Sequence, residues 1–271
     1  MTTMLHHDRV TQADAAPEKW LLMLHGIFGT GRNWSHVARQ VVERRPDWGV
    51  VLVDLPEHGK STKVKAKPTL DGAADALLEF VEAEQIAAAG VLGHSFGGKV
   101  ALRYAELADG LSQAWIADSS PESAEPTGHG WGMLNTVRRL PGPFADREEA
   151  VAALMDQGVA EPVARWMAMN LVRRQGDGMV WRFDIDRIER LLRDFYAADL
   201  WNVVERDTNG LRLEFIKADD SDVLSPSACR RINDAAKRNP RLHLHHVPGG
   251  HWLNVESPAA VVDLLADRLV H

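Results

Sequence analysis

The stretch Gly93-His94-Ser95-Phe96-Gly97-Gly98 puts a serine between two glycines, where an apolar run ends and a helical one begins. Ala87 to Leu92 reads as a short buried strand, and Lys99 to Ala105 repeats its apolar residues at the roughly 3.6-residue period of a helix. Between the two the chain must reverse within a few residues. Glycines at 93 and 97 let the backbones pass closely while the serine takes a strained conformation. Such a turn projects a hydroxyl at a helix N-terminus, whose free N–H groups favour developing negative charge. The chemistry this suits is acyl transfer through Ser95 as nucleophile. A turn that merely caps a helix has the same pattern, so the reading rests on what stands near the serine.

A serine hydroxyl needs a base, normally a histidine held by a carboxylate. With 12 histidines in the chain, position rather than presence must choose one. His251, in Pro248-Gly249-Gly250-His251-Trp252, follows the last predicted strand and precedes the last predicted helix. It therefore belongs to a loop at the same sheet edge as Ser95, and the order Ser…Asp…His is that of the hydrolases. A second turn, Leu24-His25-Gly26-Ile27-Phe28-Gly29, follows the first clear strand. The backbone N–H groups of Ile27 and Phe96 are the natural donors of an oxyanion hole, and His25 is expected to brace the turn. For the acid, residue patterns leave two loops open: Asp118 after the strand that follows the elbow helix, or one of Asp219, Asp220 and Asp222 one strand later.

Other motifs carry less. His243 and His245 share one face of a predicted strand and His246 the other, with no converging partners for zinc. Gly59-Lys60-Ser61 looks like the end of a phosphate-binding loop, but the required earlier glycine is Asp54. No metal or other cofactor is expected.

The elements that must position these residues are legible as short apolar runs alternating with helical stretches, the pattern of a mostly parallel sheet with helices on both faces. Strands are expected at Trp20–His25, Val50–Asp54, Ala87–Leu92, Ala114–Asp118, Leu211–Ala218 and Leu242–Val247, and Ser257-Pro258 opens a closing helix over 259–270. The rhythm breaks between Pro121 and Asn209, where no strand is convincing. A loop rich in Pro and Gly over 121–143 precedes amphipathic segments at 146–158, 161–174 and 184–201. The expectation is a core of residues 1–120 and 210–271 with a wholly helical cap, 121–209, over the sheet's ligand-binding edge. The cap is rich in tryptophan and methionine (Trp131, Met133, Met155, Trp166, Met167, Met169, Trp181, Trp201) that could line an acyl pocket. Phe28, His94, Trp131, Trp166 and Trp252 are the chosen pocket candidates.

At 271 residues the chain is long enough for one large α/β domain, and 45% hydrophobic residues is ordinary for a folded protein. A formal charge of −7 argues against nucleic acid or an anionic membrane as partner. One cysteine permits no internal disulfide, and the first residues lack an apolar signal region. These features lead to the expectation of a cytoplasmic protein acting on a small molecule; they leave the oligomeric state open.

Taken in order, His25-Gly26-Ile27-Phe28-Gly29 with Asn33-Trp34, Asp54-Leu55-Pro56-Glu57-His58-Gly59-Lys60-Ser61, Gly93 to Lys99, Asp118-Ser119-Ser120-Pro121 and Gly250-His251-Trp252 resemble the α/β-hydrolase fold family over nearly the whole chain. The likeness is to small bacterial esterases and mitochondrial abhydrolase-domain relatives, which act on carboxylic esters and acyl thioesters. The resemblance implies Ser95 as nucleophile, His251 as base, Ile27 and Phe96 as oxyanion donors, and no cofactor. It also favours Asp118 as the acid, with Asp222 the alternative, and puts Ser221 where the wider family carries its carboxylate. Perhydrolysis, amide or carbon–carbon bond hydrolysis, and a non-catalytic small-molecule receptor are the competing readings. An aspartate nucleophile, as in epoxide hydrolases, is excluded by the serine at 95.

Overall fold

Alternation of large apolar residues along β2 (Lys19–Leu24) builds two cores at once. Leu22 and Leu24 enter a cluster on one face of a central sheet, while Leu21 and Met23 enter a second cluster on the other. In the computed structural model, which describes residues 4–176, 178–206 and 210–270, the same division recurs along β3 (Trp48–Val53), β4 (Ala88–His94) and β5 (Gln113–Ala117). Strands buried on both faces are the signature of a parallel sheet sandwiched by helices. Each fully buried large side chain contributes on the order of 2 kcal/mol through loss of apolar surface to water.

The sheet has seven strands in the order β1-β3-β2-β4-β5-β8-β9, with β1 (His7–Val10) antiparallel at one edge and all other neighbours parallel. β8 spans Arg212–Ala218 and β9 Leu242–Val247. One face is covered by α1 (Ser35–Arg44) and by the closing helix α11 (Pro258–Arg268). The other is covered by α2 (Leu70–Ala83), α3 (Phe96–Leu107) and α9 (Pro226–Ala236). A short helix, α10 (Leu253–Glu256), precedes α11. Chain order reverses its direction across the sheet between β2 and β4, so the loops after these strands diverge and leave a crevice at their C-terminal ends.

Between β5 and β8 lies a long insertion, and two expectations for it are overturned. The segment 121–143 is not only loop: α4 spans Gly128–Arg139. Three glycines hide its helical character, but Leu134 and Val137 are fully packed, and tertiary burial overrides weak propensity. Nor is the insertion wholly helical. After α5 (Arg147–Asp156) and α6 (Glu161–Ala168), the chain forms a hairpin of β6 (Leu171–Arg174) and β7 (Gly178–Trp181). The return into β7 passes through Gly178 at φ +87°, a backbone angle open to glycine and strained for other residues. The expected segment 184–201 divides into α7 (Ile185–Ala197) and α8 (Trp201–Glu205). Ser257 precedes Pro258 as expected, but its hydroxyl donates to Pro248 O instead of capping α11.

Candidate active site

The elbow after β4 is packed so tightly that its glycines are steric requirements. A methyl group on Gly93 would lie 1.9 Å from Gly97 O, and one on Gly97 would lie 2.6 Å from His25 O. Strand, helix and the neighbouring turn therefore touch backbone to backbone. Ser95 takes up the reversal at φ 53°, ψ −117°, a costly conformation for a residue with a Cβ. It stands at the N-cap of α3 yet makes no side-chain cap bond, so its hydroxyl is not spent on the helix.

That hydroxyl instead lies 3.0 Å from His251 Nε2. The opposite ring nitrogen, Nδ1, lies 2.7 Å from Asp118 Oδ2. An ionised carboxylate can only accept, so Nδ1–H donates to Asp118 and Nε2 is left with a lone pair facing Ser95. Asp118 is completely buried. Its backbone adopts φ 43°, and its carboxylate also accepts Ser221 Oγ–H at 2.5 Å and the Ala218 N–H at 3.3 Å. Burial alone would raise its pKa; the hydrogen bonds from His251, Ser221 and the Ala218 N–H outweigh burial and hold it below the usual carboxylate range. Asp222 lines the cavity beside Val223, and Asp118 is the carboxylate that meets His251.

His94 supports the same loop. Its Nε2–H donates to the His251 carbonyl at 2.7 Å, and the two rings lie 4.7 Å apart. Burial, followed by the neighbouring His251, lowers its pKa to about 3, so it remains a neutral donor. Across the elbow, a methyl group on Gly26 would lie 3.4 Å from Ser95 Cβ, which brings the turn 26–29 directly against the serine. His25 braces that turn as expected: Nδ1–H donates to Gly26 O at 2.8 Å and Nε2 accepts the Leu55 N–H at 3.0 Å. Asp54 ties the loops behind it, accepting the Gly31 N–H at 2.9 Å and the Lys60 N–H at 2.8 Å. The Gly59-Lys60-Ser61 resemblance to a phosphate loop is thus a turn wound around a carboxylate.

Above Ser95 lies a cavity of about 1140 Å³ between the sheet edge and the insertion. Ile27, Phe28, His94, Phe96, Trp166 and Trp252 all line it. Trp166 meets Trp252 edge-on at 4.8 Å, so an aromatic from the insertion packs on the residue after His251. Trp131 does not fit its expected place. It packs edge-on to Tyr196 under the Arg193 guanidinium, 5.1 Å from its ring centre, outside the cavity lining. Of the other insertion residues singled out, Met133 lines the cavity; Met167 and Trp201 are buried in packing, and Met155 and Met169 are exposed. The 3.6-residue period marks a helix face but not which neighbour that face meets.

Three contacts were not legible in the sequence. Ser221 reaches Asp118 from 103 residues away. Asn170, from the insertion, donates to Phe28 O at 2.9 Å and fixes the turn whose Phe28 adopts φ 61°. Lys99, one turn into α3, is buried, and its ammonium donates to the carbonyls of Glu122 (2.7 Å), Phe195 (2.8 Å) and Ala198 (2.8 Å). Elsewhere, His243 and His245 approach the buried Glu214, which Arg212 and Arg268 also pair. Among the described residues no group of three or more His, Cys, Asp or Glu is arranged to hold a metal ion. No described helix is long and apolar enough to cross a membrane.

Comparison with known proteins agrees with this architecture. Residues 21–264 match the family described as "Alpha/beta hydrolase family". The chain is 28% identical over 251 residues to "Esterase YbfF" of Escherichia coli (strain K12), covering 89% of each chain. It is 22% identical over 256 residues to "sn-1-specific diacylglycerol lipase ABHD11" of Mus musculus, covering 92% of this chain and 80% of the relative. Among solved structures, "Marine microorganism esterase" superposes with a TM-score of 0.83 at 22% identity, covering 97% of this chain and 98% of the other. The sheet order, the tight elbow after β4 and a family match across most of its length make this chain a hydrolase of the alpha/beta hydrolase family.

Proposed function

We propose that the chain is a serine hydrolase that cleaves carboxylic esters, and acyl thioesters by the same chemistry, through an acyl-enzyme on Ser95. One observation carries the reading: the hydrogen-bonded line from Ser95 Oγ through His251 to the buried Asp118, opening into the large cavity. His251 Nε2 takes the hydroxyl proton as the serine oxygen attacks the carbonyl, and Asp118 stabilises the imidazolium that forms. The tetrahedral oxyanion is held by the Ile27 and Phe96 amides, the second at the positive end of α3. Loss of one such donor costs about 3 kcal/mol of transition-state stabilisation. His251 then returns the proton to the leaving alcohol or thiol, and water it activates releases the acid. The insertion over 121–209 acts as a cap, and the apolar walls around Ile27, Met133 and Trp166 suit a small to medium apolar acyl group.

The test is Ser95→Ala. The wild-type chain is expected to release p-nitrophenol from short acyl esters and to react with a fluorophosphonate probe. The variant should lose both, with circular dichroism unchanged. Labelling of Ser95 without turnover would favour a ligand receptor over an enzyme, and substantial turnover by the variant would exclude Ser95 as nucleophile.

A further inference from the structure

Helix α4 runs along the cavity like a ruler. Gly130, Met133, Thr136 and Arg139 all line the cavity; each step of three residues turns about 60° round the axis, so the lining winds round α4 from Gly130 to Arg139. At the near end α4 rests on the turn beside Ser95, since a methyl group on Gly130 would lie 3.2 Å from Ile27 Cγ2. Nine residues later, at about 1.5 Å per residue, Arg139 stands roughly 13 Å further along the axis. Met133, Val159, Val163 and Trp166 give the same cavity apolar wall, beside polar lining from Asn135 and Gln157.

Arg139 is unlike its neighbour. Arg138 points away into an ion pair with Asp186 and Glu189. Arg139 has no carboxylate within ion-pair distance among the described residues; its guanidinium donates only to neutral oxygens, Gln157 Oε1 at 3.1 Å and Thr136 Oγ1 at 3.3 Å. Both partners also line the cavity, so they hold the fork at its rim with N–H groups to spare. In a chain of net charge −7, this is an exposed, oriented cation with no carboxylate in ion-pair reach among the described residues, on the cavity wall away from the Ile27 turn. A planar guanidinium so placed suits a carboxylate, which it can take with two parallel hydrogen bonds.

We infer that Arg139 binds a carboxylate at the remote end of the substrate, so that the preferred esters are acid-terminated. This rests on Ser95 as the reacting centre. An extended chain advances about 3.5 Å per three bonds, so a span of roughly 13 Å places the carboxylate about eleven bonds from the scissile carbonyl. The carboxylate can belong to the acyl chain or to the alcohol; the chemistry at Arg139 is the same.

Two ester series distinguish these sources. The first pairs p-nitrophenyl monoesters of α,ω-dicarboxylic acids with p-nitrophenyl alkanoates of equal length. The second pairs acetyl esters of ω-hydroxy acids with those of plain alcohols. In one series the wild-type kcat/KM ratio of acid-terminated to methyl-terminated ester is expected to reach about tenfold at about eleven bonds, the range of a charge-assisted pair. Arg139→Gln should bring that ratio to one, and Arg139→Lys should keep part of it. A wild-type ratio of one or less at every length in both series would overturn the inference, as would a Gln variant that keeps the preference. Independently of turnover, decanedioate should bind Ser95→Ala protein about tenfold more tightly than the Ser95→Ala, Arg139→Gln protein by calorimetry; equal binding overturns the site. Failure of wild-type protein to cleave p-nitrophenyl acetate would instead count against Ser95, and the calorimetry would still decide on Arg139.

Discussion

Replacing Asp118 by asparagine keeps its size and removes its charge, and the surroundings dictate how the new amide must sit. Oδ1 accepts the Ala218 N–H, whereas Oδ2 accepts from both His251 and Ser221. An amide nitrogen in the Oδ1 position would meet a backbone donor head-on, so the oxygen stays there and the nitrogen takes the Oδ2 position. It then donates to His251 Nδ1, which must become the acceptor. The ring's proton moves to Nε2, 3.0 Å from Ser95 Oγ, and the nitrogen that should take the serine proton has no lone pair for it. A swap of this kind in a serine protease lowers kcat by about 10⁴, so a fall of 10³ to 10⁴, or roughly 4 to 5.5 kcal/mol, is expected here. Asp222→Asn should stay within about twofold of wild type, since Asp222 lines the cavity and Asp118 is the carboxylate that meets His251. The assay is kcat/KM for p-nitrophenyl butyrate at pH 8, with thermal melts confirming the fold. Asp118→Asn retaining more than a tenth of wild-type turnover, or Asp222→Asn being the variant that collapses, would refute the reasoning.

Two further outcomes follow from buried groups around the site. Burial lowers the pKa values of His25, His58 and His94 to about 4, 3 and 3 against 6.5 when exposed, so these rings stay neutral in the folded chain where the unfolded chain protonates them. Their contribution is complete above pH 6.5 and is lost progressively as the pH falls from 6.5 through 4 to about 3; near pH 5 the unfolding free energy should drop with a slope approaching three protons, about 4 kcal/mol per pH unit. Urea midpoints at pH 7, 6 and 5 measure this, and a slope below one proton would contradict neutral burial. Lys99→Met strips the donor from three carbonyls of the insertion and should cost about 2 kcal/mol or more, since the ammonium's recovered desolvation offsets only part of the lost bonds. Limited proteolysis should then cut within 121–209 faster than in wild type, and unchanged cleavage would mean that Lys99 does not anchor this region.

The sequence disclosed those parts of the molecule whose physics is local. A strand buried on both faces must be an apolar run, so β2 to β5, β8 and β9 were legible to within about two residues, and a backbone contact as close as that at Gly93 leaves only glycine possible. Features decided by distant packing were not legible. Glycine-rich α4 is helical because Leu134 and Val137 are buried, and Trp131 met Tyr196 and Arg193 instead of the cavity. The strand β1 is a four-residue edge with no fully buried position, so it lacks the apolar run that announced the others. The acid shows the limit most clearly. Asp118 and Asp222 end loops at the same sheet edge, and no local pattern ranks them. The structure links them through Ser221: the residue standing where the wider family carries its carboxylate has a hydroxyl, and that hydroxyl donates to Asp118. A carboxylate at 221 would crowd the Asp118 charge at hydrogen-bond distance, whereas a hydroxyl stabilises it.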